Sequence, residues 1–305
     1  MEWQPGGLSS DIEDRRDDSG GGGGGGFGFG GGGLGIVGFL VLLVVSLVTG
    51  HNFLGGMLGG GGSGAPMQQT QPMQQSQNAP AMAGQTTSAT GGDRDAQLIS
   101  FVNTDVQKFW RQTLTAKGVS YREAHVVLYR GETQAGCGGE AQSSTGPFYC
   151  PEDMKVYIDL SFWDELKQFG GSTADFAQAY VLAHELGHHV QNLIGTEQKV
   201  QHLERSEPDQ QNHLSVDTEL QADCYGGVWA HHAQEEHILD PGDVAAALSA
   251  VAAVGDDHLE KMSGRAVSPE SWTHGSSQQR QTWFQRGYQS GDMNACNTFG
   301  GGAGQ

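Results

Sequence analysis

The sequence predicts an α+β domain, a small sheet with helices, that spans residues 96–297 and follows one N-terminal transmembrane helix at residues 34–50. Three observations predict this architecture. A long uncharged apolar run lies near the N-terminus. Two runs of β-branched and aromatic residues have the length of strands. Apolar patterns of helical period dominate the C-terminal half of the domain, and strands followed by helices are typical of the α+β class.

The chain outside the domain divides into four parts. Residues 1–33 are acidic and rich in glycine, which predicts a disordered tail. Residues 34–50 carry no charged side chain and can span the hydrocarbon layer if the flanking glycines join the helix. Residues 51–95 mix Gly, Gln and Met as a flexible linker, and residues 298–305 form a glycine-rich tail. A cleaved signal peptide and a buried core helix are the alternatives for the apolar run.

The distribution of Lys and Arg predicts the orientation of the apolar helix. Arg15 and Arg16 precede it, and no further Lys or Arg occurs before Arg94. Because cytoplasmic flanks are enriched in these residues, we expect the N-terminus to be cytoplasmic. The chain is then a single-pass protein of the cell membrane, anchored by residues 34–50, with an extracytoplasmic domain.

The first elements of the domain follow from apolar periodicity and from breaker residues. A helix is predicted from near Asp95 to Gly118. Strands are predicted at residues 124–129 and 155–160. The second strand is expected to pair with an extended substrate as an edge strand.

The C-terminal half of the domain contains four predicted helices. A capping-box pattern over residues 172–175 marks the start of the first, and Gly195 is placed to end it. The other three are predicted at residues 216–232, 243–254 and 277–288.

The cysteine content predicts two disulfides. Four cysteines, an even number, occur in a domain expected outside the cytoplasm. Cys137 and Cys150 bracket a short loop rich in Gly and Ser, which favours their pairing and leaves Cys224 with Cys296. Sequence alone permits three pairings. A cysteine-ligated zinc site is disfavoured, because the chain has no C-x-x-C pair.

The charge balance limits the classes of partner. The chain has 35 acidic and 16 basic residues and a formal net charge of -19. Phosphate backbones are bound by basic surfaces, so we expect no nucleic-acid partner. A peptide or protein partner fits this composition better.

The clearest chemical signal is the run His184-Glu185-Leu186-Gly187-His188 in the middle of a predicted helix. Residues four apart share one helix face, so two imidazoles can bind one ion. Glu185 lies beside them and can act on a water molecule as general base. This is the zincin arrangement, and it predicts Zn2+ as cofactor. The alternative is an exposed helix with two incidental histidines.

A third ligand must come from elsewhere in the chain. Gln191 and Ile194 stand where the metzincin motif has Gly and His, which excludes that subclass. Glu219 and Asp223 lie four apart on the next predicted helix. We expect Glu219 to complete the metal site and Asp223 to orient a ligand imidazole. The alternative is a solvated pair of acids on a helix face.

Several segments together carry a family resemblance: Cys137–Gly139, Gly146–Pro151, Val156–Leu160, His184–Gln191, Glu219–Cys224 and Thr273–Ser277. In these segments the chain resembles the neutral zinc metallopeptidase family of bacterial membrane-anchored proteins. The resemblance covers roughly residues 95–297, together with the N-terminal tail and its single helix. It implies a zincin-like fold and peptidase activity.

A looser similarity links the chain to the membrane-associated gluzincins that include the CAAX-processing and heat-shock peptidases. Their second signature is E-x-x-x-D, and a later Thr-His segment precedes an Arg. Thr273, His274 and Arg280 stand in that order here. The similarity implies that His274 contacts the reacting carbonyl, and we expect it to donate a hydrogen bond to the oxyanion. The alternative is that His274 caps or packs its own turn.

The sequence therefore predicts a zinc-dependent peptidase that hydrolyses peptide bonds by a metal-activated water, with Glu185 and His274 as catalytic residues. The alternative is a non-catalytic, membrane-anchored, extracytoplasmic binding module held together by a structural metal and the disulfides. Glu185 separates the two hypotheses, because a structural zinc site has a fourth protein ligand and needs no general base.

Overall fold

The computed structural model of the protein describes residues 1–18 and 91–300. Within these ranges the predicted α+β class is confirmed, with a four-stranded sheet, a two-stranded sheet and eight α-helices. The predicted transmembrane helix at residues 34–50 and nearly all of the predicted linker lie outside the described residues. Among the helices of the described ranges, none is long and apolar enough to cross a membrane.

The described part of the chain contains six short strands: β1 Ile12–Asp14, β2 His125–Tyr129, β3 Glu132–Gln134, β4 Glu140–Gln142, β5 Phe148–Cys150 and β6 Lys155–Asp159. The larger sheet has the order β1-β2-β6-β5. Its first three members are parallel, and β5 is antiparallel to β6. Strands β3 and β4 form a separate antiparallel pair. The expectation that residues 155–160 form an edge strand is wrong, because β6 lies between β2 and β5.

Both faces of the larger sheet are covered, which explains why its central strands could be recognised in the sequence. Val126 and Leu128 belong to the main core, whereas Val127 and Tyr129 belong to a smaller cluster on the opposite face. A strand that is buried on both faces is an uninterrupted apolar run. Strand β2 is such a run.

Eight helices complete the described part: α1 Gly91–Ala116, α2 Phe162–Gln168, α3 Asp175–Ile194, α4 Thr196–Ser206, α5 Gln211–Glu235, α6 Asp243–Ala253, α7 Asp256–Met262 and α8 Ser277–Ser290. Helix α5 packs against both α3 and α8. Where α5 crosses α8, a Cβ atom on Gly227 would overlap the carbonyl oxygen of Phe284, and one on Gly287 would overlap that of Cys224. Glycine at both positions permits the close crossing.

The two predicted disulfides are confirmed as Cys137–Cys150 and Cys224–Cys296. The second ties α5 to the chain after α8 and closes a loop with a sequence separation of 72 residues. A cross-link over a loop of this length stabilises the folded state by about 4 kcal/mol in the chain-entropy model. Because Cys224 follows Glu219 on α5, this disulfide also anchors the helix that carries the third predicted metal ligand.

Helix α3 ends as predicted but begins differently. Gly195 closes it in the left-handed conformation, with φ of 84°. The capping box predicted over residues 172–175 does not form, because Ala174 occupies the N-cap position without a side-chain cap. Instead, the carboxylate of Asp175 accepts hydrogen bonds from Trp3 Nε1 at 2.7 Å and from Arg94 Nη1 at 2.8 Å.

Residues 1–18 belong to the folded domain and are not the start of a disordered tail, as the sequence analysis expected. Strand β1 pairs with β2 along its whole length. Ile12 packs on the main core, and the Lys155 ammonium donates a hydrogen bond to Glu13 at 2.5 Å. A strand of three residues with one apolar side chain has no recognisable period, so composition alone misled the prediction.

The pairing of β1 with β2 has a consequence for membrane topology. Strands that share one sheet lie in one compartment, whereas the predicted orientation places residues 1–33 and the domain on opposite sides of a membrane. That orientation is therefore incompatible with the sheet. Residues 12–14 and residues 126–128 therefore lie on the same side of any membrane.

Single cysteine substitutions test this shared side. Gly6 and Glu235 are both exposed. We therefore make Gly6→Cys and Glu235→Cys separately in the full chain and treat intact cells and inverted vesicles with an impermeant maleimide. Both variants are expected to react in the same one of these two preparations. The unsubstituted chain is the control, because its four cysteines are paired. Labelling of the two positions from opposite sides would show that β1 does not join the sheet in the cell.

Candidate metal centre

Three side chains from two helices converge at one point. His184 and His188 project from α3, and Glu219 projects from α5. Nε2 of His184 lies 3.2 Å from Oε2 of Glu219, and Nε2 of His188 lies 3.4 Å from Oε1 of Glu219. One ligand atom from each residue lies within 4.8 Å of the other two, and all three residues are buried. The structure thus brings together the three residues predicted as metal ligands.

A close contact between α3 and α5 sets this spacing. Gly187 faces α5, and a Cβ atom at this position would lie 3.1 Å from the carbonyl oxygen of Ala222. A larger side chain here would require α5 to shift by a few tenths of an ångström. The glycine inside the motif therefore has a positional role.

Each histidine is oriented through its other ring nitrogen. Nδ1 of His184 lies 2.8 Å from Oδ1 of Asp223, as the sequence analysis expected for this aspartate. Nδ1 of His188 lies 2.8 Å from Oε1 of Gln191, whose amide group in turn donates to the carbonyl of Thr218 at 2.8 Å. Both partners of the histidines are acceptors, so both Nδ1 atoms carry the proton. The lone pairs of both Nε2 atoms are then directed at the point shared with Glu219.

The spacing of these atoms fits a zinc ion. Zinc binds imidazole nitrogen and carboxylate oxygen at about 2.0–2.2 Å, so tetrahedral ligands lie about 3.3 Å from one another. The distances of 3.2 Å and 3.4 Å from the two Nε2 atoms to the Glu219 carboxylate match this value. Within the described residues, the cluster offers three protein ligands. A zinc ion held by these three residues would keep a coordination position for a small molecule, which is typical of catalytic zinc sites.

The charges around this point also favour a cation. Three buried carboxylates, Glu185, Glu219 and Asp223, are close to one buried guanidinium, Arg280. Burial opposes ionisation of Glu219, but its interactions with His188, His274 and His184 outweigh this effect and lower the pKa of this carboxyl well below its usual range. A divalent cation bound among neutral imidazoles would balance the remaining negative charge.

Glu185 lies beside the three ligand residues. It follows His184 on α3, is buried, and lines the same cavity as His184, His188 and Glu219. Burial raises the pKa of Glu185, and the charge of Glu219 adds to this effect. Glu185 thus lines the cavity without being part of the cluster of ligand atoms.

Asp223 is itself fixed by two residues from other helices. The guanidinium of Arg280, on α8, donates to it through Nε at 2.8 Å and through Nη2 at 2.9 Å. The hydroxyl of Tyr180, on α3, also donates to it. The paired geometry of the guanidinium and carboxylate restricts the rotation of Asp223, and through it the ring of His184.

His274 reaches the same cavity from the loop before α8. Asp256, at the start of α7, accepts hydrogen bonds from the backbone N–H groups of Thr273, His274 and Gly275 at 2.8, 2.7 and 3.0 Å. Burial would lower the pKa of His274, but the charges of Glu219 and Asp256 raise it above its ordinary value. The loop is thus held in place by one buried carboxylate that the sequence analysis did not single out.

A protein-family comparison supports the same interpretation. The family model described as "Putative neutral zinc metallopeptidase" matches residues 1–299. The chain belongs to this family. The match includes residues 1–18 as well as the metal centre, in agreement with their place in one fold.

Similar proteins occur in distantly related bacteria. "Uncharacterized protein YpfJ" of Escherichia coli strain K12 is 44% identical over 303 residues, which cover 98% of this chain and 99% of the relative. "Uncharacterized protein Rv2575" of Mycobacterium tuberculosis is 45% identical over 207 residues, which cover 64% of this chain and 67% of the relative. No solved structure matches the chain significantly.

The sequence did not reveal the contacts of two residues near the metal centre of this zinc metallopeptidase family member. His189, the residue directly after the motif, is fully buried. Its ring bonds to the Tyr149 hydroxyl at 2.9 Å and to the Arg122 carbonyl at 2.7 Å, and burial lowers its pKa to about 4. Gln191 was noted only for excluding the metzincin motif. Its position three residues after His188 is the signal that could have revealed its contact.

Proposed function

We propose that the protein is a zinc-dependent peptidase that hydrolyses peptide bonds at the centre formed by His184, His188 and Glu219. One observation carries this proposal: three buried side chains that could hold a metal ion line one cavity together with Glu185, a fourth buried side chain that is not part of the ligand cluster. A structural zinc site would have a fourth protein ligand there. Membership of the zinc metallopeptidase family supports the same conclusion.

The residues of the chain then have distinct chemical roles. When bound, zinc supplies a Lewis acid that polarises a peptide carbonyl and makes water a stronger acid. Glu185 accepts a proton from the attacking water and delivers it to the nitrogen of the leaving amine. His274 donates a hydrogen bond to the oxygen on which negative charge develops. Asp223 and Gln191 keep the two imidazole rings directed at the metal.

An extended substrate has a strand available beside this centre. Strand β5 is at the edge of the larger sheet, and its first residue, Phe148, lines the cavity together with Gly146 and Pro147. A peptide that adds to the free edge of β5 would pass in front of the metal ligands. Strand β6 cannot have this role, because both of its edges are already paired.

We also propose that the domain, residues 1–18 included, is extracytoplasmic, whereas attachment through a transmembrane helix at residues 34–50 stays a prediction, because a single crossing would place residues 1–18 on the opposite side. The two disulfides support the compartment, since such bonds persist in oxidising surroundings. The strand pairing of β1 supports a shared side for the N-terminus and the domain. The partners are then peptides or proteins outside the cytoplasm.

A peptide-library digest tests the peptidase proposal. Purified full chain, loaded with zinc, is expected to cut library peptides and to create new amino and carboxyl termini that mass spectrometry detects. A chelator should abolish cleavage, and added zinc should restore it. A folded, zinc-loaded protein that releases no products from the library would leave only the non-catalytic binding module.

Asp256 is predicted to act as a positioning residue for His274. Asp256→Asn removes the charge that holds three N–H groups, and we expect kcat to fall by about 10–100-fold with little change in KM, since a small displacement of His274 weakens contact with the developing oxyanion. Asp257→Asn is the matched control on the same helix, because Asp257 holds Ser277 and Lys261. An unchanged kcat in folded, zinc-loaded Asp256→Asn would assign Asp256 to stability alone.

A further inference from the structure

The cavity at the metal centre has a polar end and an apolar end. Its volume is about 400 Å3, and the polar end contains the metal-ligand residues with Glu185 and His274. The apolar end is lined by side chains from α2, α3, α6 and α7 and from the residues that directly follow α2 and α6: Phe162, Phe169, Val181, Ala250, Val254 and Leu259. A cavity of this size can hold a large side chain together with part of a peptide backbone.

The apolar end lies directly beside the reacting position. Val181 precedes His184 by three residues and Glu185 by four on α3, so the three side chains lie on neighbouring parts of one helix face. A substrate residue adjacent to the bond being cut is therefore the one that reaches this end.

The Lys and Arg side chains of the lining do not favour a terminal carboxylate as the main anchor. Among the described residues that line the cavity, Arg280 is the single Lys or Arg, and Asp223 already holds its guanidinium through two hydrogen bonds. Glu165, on α2, is an acid that lines the same cavity. Burial raises its pKa, and the charge of Asp159 adds to that effect.

We infer that this apolar end is a specificity subsite that accepts a large aliphatic or aromatic side chain next to the scissile bond, within a chain and not at its carboxyl terminus. The inference rests on the proposed peptidase function and specifies its substrate class. Each methylene group that a substrate lacks in such a subsite costs about 10-fold or more in kcat/KM. Peptides with Leu or Phe at that position are thus expected to be cut at least about tenfold faster than matched Ala peptides.

Substitutions on the wall of the subsite test the assignment. Val181→Phe adds bulk to a partly exposed lining residue and is expected to lower the Leu-to-Ala ratio of kcat/KM by about tenfold or more. Val254→Phe adds bulk to a second lining residue and should also lower the Leu-to-Ala ratio of kcat/KM. With two variants, the assignment can be tested even if one of them folds poorly. Val267→Phe is the control, because Val267 is exposed and outside the cavity, and it should keep the wild-type ratio.

A binding measurement separates this inference from the proposed chemistry. Zinc-loaded Glu185→Gln should bind uncut Leu or Phe peptides at least about tenfold more tightly than Ala peptides. Cleavage by wild type without a preference for large apolar residues would overturn the subsite and leave the peptidase intact. Absence of cleavage together with the binding preference would overturn the peptidase and leave an apolar peptide-binding site. Equal binding of all peptides would overturn the subsite whatever the activity.

Discussion

Glu185→Gln is expected to lower kcat by about 1,000-fold while the protein keeps one bound zinc. The substitution preserves the size of the side chain and removes its ability to accept a proton. The ligands His184, His188 and Glu219 are unchanged, so the metal should remain. Steady-state kinetics on a peptide found in the library digest and metal analysis of the same sample measure the two quantities.

The control for this variant is Glu235→Gln, an exposed glutamate at the end of α5 that does not line the cavity. It should leave both kcat and zinc content at the wild-type values. Full activity of Glu185→Gln would exclude Glu185 as the general base and with it the proposed mechanism. Loss of zinc from Glu185→Gln would show instead that Glu185 is a ligand.

Glu219→Ala is expected to abolish zinc binding at the centre. This is the second of the two largest expected effects. Removal of this carboxylate leaves two imidazoles as ligands. Substitution of a residue that only orients a ligand lowers zinc affinity by about 10–100-fold, and loss of Glu219 should lower it by more. Competition with a chromophoric chelator measures the affinity. Asp217→Ala is the control on the same helix, because Asp217 is not part of the ligand cluster.

The zinc affinity of Asp223→Asn should lie between the affinities of Glu185→Gln and Glu219→Ala. The amide can still accept from His184, so zinc should remain, with an affinity lower by about 10–100-fold. The variant also leaves the buried guanidinium of Arg280 without its counter-charge, so a lower melting temperature is expected. If Asp223→Asn empties the centre and Glu219→Ala does not, the roles assigned to the two acids are reversed.

The parts of the site that the sequence predicted are those with a local period. His184 and His188 are one helical turn apart, and Glu219 and Asp223 repeat that spacing on α5, so each pair could be placed on one face before any tertiary structure was known. The central strands could be found for a similar reason, since burial on both faces makes them continuous apolar runs. The α+β class follows from these local signals.

The parts that the sequence did not predict depend on tertiary hydrogen bonds. Asp256 is an ordinary acid at the start of a short helix until the loop of His274 places three N–H groups around it. The sequence pattern predicted that Asp175 belongs to a capping box, yet its carboxylate accepts hydrogen bonds from Trp3 and Arg94. Neither role has a spacing or a composition that marks it.

The N-terminal segment shows the same limit most clearly. Glycine content and charge predicted disorder, but β1 needs only three residues once β2 offers a free edge. Pairing with a distant strand overrides the weak local preference. The predicted membrane orientation depended on Arg15 and Arg16 as cytoplasmic flanks, and Arg15 instead donates to Gln134 and Thr133 of the domain.

X-ray absorption at the zinc edge of the zinc-loaded full chain tests the central claim most directly. We expect one zinc per chain with two imidazole nitrogens at about 2.0–2.1 Å and oxygen ligands at about 2.0–2.2 Å, without sulfur. Glu219→Ala should lose this signal. A spectrum with sulfur at about 2.3 Å, or with three or more imidazoles, would contradict the assignment of His184, His188 and Glu219 as a catalytic zinc site.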